Sequence, residues 1–130
     1  QVLCAFDASF GAGLLDALGQ VVVDQQPTLL IAYDSEYPEP LRSKRGIPDC
    51  AGVALLLTPG RTRRSLARIT VTPSAEPVQV LADSGLEDLR RAIPAMRSLP
   101  LLASLARGGS GPVRLEYLPP MQLNVALQPC

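Results

Sequence analysis

The residues best placed for chemistry fall in one short stretch, Asp7-Ala8-Ser9-Phe10-Gly11. An apolar run, Gln1 to Phe6, leads into it and a helix-forming pattern follows. The stretch is therefore predicted to turn a strand into a helix N-terminus. Such a turn favours a nucleophile, because the positive end of the helix stabilises developing negative charge. Ser9 is the candidate. It lacks the Gly-x-Ser-x-Gly elbow pattern, and the chain has no histidine to accept its proton. Capping the helix needs nothing beyond the side chain itself, and the sequence favours that role for Ser9. The missing histidine also excludes, within this chain, Ser-His-Asp and Cys-His systems, a His proton shuttle and any His-ligated metal.

Other groups have weaker claims. Asp34, Glu36 and Glu39 cluster after the second predicted strand, as acid/base carboxylates can. Beside Arg42, Lys44 and Arg45 they read better as solvated ion pairs. Arg61-Thr62-Arg63-Arg64 is a small basic cluster, read first as a solvated hairpin tip and second as an anionic-ligand site. Gly108-Gly109-Ser110-Gly111 follows a predicted helix instead of preceding one, so it reads as a flexible connection and not a phosphate cradle. Cys4, Cys50 and Cys130 share no close spacing. They are expected to be reduced thiols, two of them packed and one at the C-terminal tail, with no CxxC for zinc or redox work. Neither a metal nor a cofactor is expected.

The elements that position these groups come from one domain's worth of chain, 1–130, with 47% hydrophobic side chains and mean hydropathy +0.19. Twelve basic residues balance twelve acidic ones, which leaves no excess for nucleic acid or an anionic membrane. No uninterrupted apolar run reaches the roughly 18 residues of a membrane span, so a soluble, cytoplasmic protein is expected. Ser9 to Asp24 is predicted helical, with Phe10, Leu14, Leu15, Leu18, Val21 and Val22 at spacings of three and four. Gly11, Gly13 and Gly19 weaken it by about 1 kcal/mol each relative to alanine and imply close packing against another backbone.

Thr28–Tyr33 and Ala51–Thr58 are continuous apolar runs, expected as strands covered on both faces, with a long loop from Asp34 to Asp49 between them. Ser65–Thr72 alternates as a half-buried strand does, and Val78–Leu81 is expected to be extended or a short strand. Asp83 or Ser84 then caps a helix, Glu87 completes a capping box, and Leu86, Leu89 and Ile93 make the apolar stripe. After Pro94 a proline-kinked helical segment, Ala95–Arg107, precedes an antiparallel pair, Val113–Leu118 with Leu123–Leu127. The class is α/β with a mixed sheet. Because the chain opens at Gln1 directly into an apolar strand, it is expected to be part of something longer.

Two stretches carry a resemblance. CAFDASFGAGLLDALGQ (Cys4–Gln20) is similar to the strand, turn and helix that present the nucleophilic cysteine in β-ketoacyl synthases of the thiolase fold. TLLIAYD (Thr28–Asp34) resembles the apolar strand that follows, and YPEPLRSKRGIPDCAGVALLLTP (Tyr37–Pro59) the proline-containing loop and the next strand. Over roughly residues 2–59 the chain looks most like the divergent "N-terminal domain" branch found with aryl-polyene and related type II fatty acid or polyketide clusters. That implies a thiolase-like mixed sheet covered by helices, a partial (C-terminal) piece of a synthase-like half.

The catalytic set does not carry over. The family's cysteine falls on Ala8 or Ser9, and its histidines have no counterpart. The resemblance therefore implies a non-catalytic, chain-length-factor-like partner of a β-ketoacyl-ACP synthase. The alternatives are a ketosynthase-like acyltransferase using Ser9, or a scaffold that binds acyl carrier protein. It further implies pairing with the synthase subunit or a second copy through the Gln1–Phe6 strand. Phe6, Phe10, Gly11 and Gly13 would lie at the interface or acyl tunnel, Phe10 as plug or wall.

Overall fold

The computed structural model describes all 130 residues. Its longest helix, α1, runs from Ser9 to Asp24 as the spacing predicts, burying Phe10, Leu14, Ala17 and Val21. It stops where Gln25 takes a left-handed conformation (φ 54°) and donates its N–H to the Val21 carbonyl. Gly11 and Gly13 lie about 200° apart around the helix. A Cβ on Gly11 would collide with the Glu116 carbonyl, and one on Gly13 would press on the Leu30 side chain at 3.1 Å. The helix therefore packs on two sides, with one small residue on each.

Two antiparallel sheets flank it. Strands β1 (Thr28–Asp34) and β2 (Ala51–Leu57) pair with Thr28 opposite Leu57 and Asp34 opposite Ala51. Strands β3 (Ala67–Ser74), β4 (Gly111–Glu116) and β5 (Gln122–Pro129) make the second sheet in the order β3-β5-β4. The α/β class holds, but these two small sheets replace the single mixed sheet expected. The loop after β1 is long enough to bring β2 back alongside it, and the short 117–121 connection closes β4–β5 as the expected antiparallel pair. The core joins Phe10, Leu14 and Leu101 to Val113, Leu115, Leu123, Val125 and Leu127.

Several expectations are corrected. Gln1–Ala5 is not a strand and pairs with neither sheet. It is tied instead to the helix start, where the Ala5 N–H donates to Ser9 Oγ and Gln1 bonds Asp16 and Gln20. Strands β1 and β2 are covered on one face only: Leu30, Ala32, Val53, Leu55 and Leu57 face the core, while Leu29, Ile31, Tyr33 and Leu56 are 57%, 58%, 76% and 66% exposed. Of the two forms expected for Val78–Leu81 the short strand is not formed, although the Gln79 N–H reaches the Arg114 carbonyl. All three cysteines are exposed, since Cys4 and Cys50 lie in irregular segments and Cys130 follows β5.

The stretch Phe6–Asp24 is, with its 19 residues and mean hydropathy of 1.2, long and apolar enough to cross a membrane, which the reading by uninterrupted apolar runs missed. Here it packs between two sheets.

Helix α2 is one turn inside the long loop, Leu41–Lys44. Helix α3 (Ser84–Ala92) is capped by Asp83, whose Oδ1 accepts from the Leu86 N–H at 2.9 Å. Glu87 does not close a capping box but accepts from the Leu81 N–H at 3.1 Å. The predicted stripe is half reversed, with Leu86 and Leu89 exposed, Ile93 buried, and Arg90 only 6% exposed. Pro94 splits the rest into a 3-10 turn, Pro94–Ser98, and helix α4, Leu99–Ala106.

Candidate functional site

A 3-10 turn, Phe6–Ala8, precedes α1 and forms one wall of a recess of about 500 Å³. Phe6 takes φ 57°, an uncommon conformation for a bulky side chain, and its ring is largely exposed. The other wall comes from Val78, Tyr117, Leu118 and Pro119, and the polar floor from Asp7, Arg97 and Glu116. The long loop brings Arg45 over the Phe6 ring, 4.6 Å from its centre, and into an ion pair with Asp7.

The floor belongs to a chain of six alternating charges: Arg45, Asp7, Arg97, Glu116, Arg90 and Glu87. Arg97 lies 3.6 Å from Asp7 and 2.9 Å from Glu116. Arg90 reaches Glu116 at 2.5 Å and holds Glu87 through two bonds of 2.6 and 2.8 Å. Hydrogen bonds from Arg90, aided by the Leu81 N–H, outweigh burial and pull the Glu87 carboxyl down to about 2. The same pair pushes the Arg90 guanidinium further up, so both stay charged. Arg97 Nε alone is buried without a partner. Every carboxylate here is committed to a guanidinium, which leaves no base poised for proton transfer. The arrangement can hold a ligand or a partner's side chain between apolar walls.

Ser9 sits at the helix start as predicted, but Ala8 occupies the cap position. The Ser9 hydroxyl donates to the Phe6 carbonyl at 2.7 Å and accepts from the Ala5 N–H at 2.9 Å, which ties up the turn before the helix. Compared with known protein families, curated proteins and solved structures, the chain matches none.

Of the residues singled out in the sequence, Phe6 and Ala8 line the recess. Phe10, 1% exposed, lies in the chain's own core, and Gly11 and Gly13 are spent on packing within the chain. The three loop carboxylates disperse: Asp34 accepts from the Ala95 N–H at 2.6 Å, Glu36 pairs with Arg42, and Glu39 accepts from the Ser43 N–H. Arg61–Arg64 lies in a connection between the two sheets and not at a hairpin tip. Sequence reading missed Arg90, Arg97 and Glu116, and it gave Arg45 to the loop carboxylates, whereas Arg45 pairs with Asp7. Only Glu87 with Arg90, three apart on one helix, left a local signal. The remaining pairs join residues distant in sequence.

Proposed function

We propose that the chain is a non-catalytic β-ketoacyl synthase-like subunit, working beside an active β-ketoacyl-ACP synthase as a chain-length factor does, in fatty acid or polyketide assembly. What supports the family reading is the resemblance over residues 2–59, the stretch that contains α1, β1 and β2. The observation that carries the non-catalytic part is the helix start. Alanine stands at position 8, and both hydrogen-bonding roles of the Ser9 hydroxyl go to backbone. A serine so held, with no base beside it, stays protonated and does not attack a thioester.

With Gln1–Ala5 irregular, the pairing surface on this reading is the outer face of β1–β2, where Leu29, Ile31, Tyr33 and Leu56 stand exposed. With Phe10 buried, Phe6 takes over as the residue at the mouth of the recess. The test is incubation of the full chain with acyl-CoA and acyl-ACP followed by intact-mass measurement. No adduct on Ser9 or any cysteine is expected. A stoichiometric adduct that disappears in Ser9→Ala would make the protein a Ser9 acyltransferase instead. Binding of acyl carrier protein without any synthase would favour the scaffold.

A further inference from the structure

The segment between β2 and β3, residues 58–66, carries the chain from one sheet to the other. It holds three exposed arginines, Arg61, Arg63 and Arg64. None lies within 4.0 Å of a carboxylate, although acidic residues are as numerous as basic ones and Arg42, Arg45, Arg90 and Arg97 all find partners. Arg61, Thr62, Arg63 and Ser65, with Cys130, line a recess of about 420 Å³.

Hydrogen bonds fix the backbone that presents these groups. The Thr58 hydroxyl donates to the Gly60 carbonyl at 2.7 Å, and the Ser65 N–H to the Thr62 carbonyl at 3.2 Å. The Thr62 N–H donates to Ser65 Oγ at 2.8 Å and the Arg64 N–H to Thr62 Oγ1 at 3.2 Å. Both hydroxyl oxygens are therefore already acceptors. They lie 3.2 Å apart and only one can donate to the other, so the second hydroxyl proton has no acceptor. The recess thus offers guanidinium forks and a hydroxyl donor; it holds no Asp or Glu side chain, and Cys130, the last residue of the sequence, makes no ion pair with either arginine.

We propose that this recess is an oxyanion site that takes the phosphate group of a small phosphorylated molecule, held by Arg61 and Arg63 with a hydroxyl of the Thr62–Ser65 pair. A ligand that only accepts hydrogen bonds suits the free donors of these side chains. Two guanidinium forks and a hydroxyl offer more donors than the two oxygens of a carboxylate can use, whereas three phosphate oxygens match them. The recess also leaves room for the organic part of the molecule, so an ester fits it better than the free ion. Because the chain as a whole is neutral, no long-range field adds to the contact, and the affinity rests on these residues.

The test is an amide NMR titration of the full chain with glycerol 3-phosphate, inorganic phosphate and acetate, with chloride holding the ionic strength constant. Glycerol 3-phosphate should shift the Thr62–Ser65 resonances saturably, with a dissociation constant on the order of millimolar, and bind at least as tightly as inorganic phosphate. The double variant Arg61→Gln/Arg63→Gln should weaken binding roughly tenfold or more, with an unchanged melting temperature because both side chains are exposed. Arg107→Gln, at an exposed arginine elsewhere, should bind like wild type. The site is refuted by an absence of saturable shifts, by equal shifts with acetate, by inorganic phosphate binding while the ester does not, or by equal weakening in Arg107→Gln.

Discussion

The two sheets use the same alphabet in opposite ways. In β4 and β5 the inward residues Val113, Leu115, Leu123, Val125 and Leu127 are sealed in the core, while Arg114, Glu116, Gln122 and Asn124 alternate with them. In β1 and β2 the inward residues apart from Thr28 and Asp34 at the ends of β1 are apolar, and so are outward Leu29, Ile31, Tyr33, Ala54 and Leu56. Burying the outward set in an assembly would gain roughly 25 cal/mol per Å² of apolar surface removed from water. The fold itself collects none of that gain. One sheet turns polar residues outward, and the other leaves an apolar face exposed.

The largest effect should come from the charge chain that joins the sheet of β3, β4 and β5 to α3. Arg90→Leu leaves Glu87 and Glu116 without their shared cation and should cost about 3–5 kcal/mol, read from urea unfolding. Leu123→Ala, at a fully buried position of β5, should cost about 2–5 kcal/mol in the same assay. An equal loss at Leu56→Ala, on the open face of β2, would erase the distinction between the sheets.

A pH series sharpens the comparison further. Glu87 titrates near 2 in the folded chain against an ordinary 4.5. Its folded value is depressed, so its contribution is complete above about 4.5 and is lost as the pH falls from there toward 2. Over that window the urea midpoint should drop more steeply in wild type than in Glu87→Gln. The smallest effect is expected on the open face: Ile31→Ser should alter the stability of the isolated chain by no more than about 0.5 kcal/mol.

Elements whose signal is local were legible in the sequence. Helix α1 follows from its spacing of three and four, and β4 and β5 from their alternation. Gly11 foretold a backbone pressed against the helix. Apolar runs without alternation were less informative: TLLIAYD reads the same whether one face is covered or two, and QVLCAF reads as a strand although no edge receives it. The candidate site was legible only at its rim. Asp7, Ala8 and Ser9 were found from the helix start, but the charges beneath them meet across long stretches of chain, as Asp7 does with Arg45 and with Arg97, and no periodicity records that.

The account is tested most directly by sedimentation velocity on wild type and on Ile31→Asp/Leu56→Asp. Each is run alone and with β-ketoacyl-ACP synthase subunits from the same source, at roughly tens of micromolar. Wild type should sediment as a complex, with a second copy or with one of the synthases, and the double variant as a monomer of unchanged melting temperature. A wild-type chain that stays monomeric in every mixture, or a double variant that associates as wild type does, would contradict it.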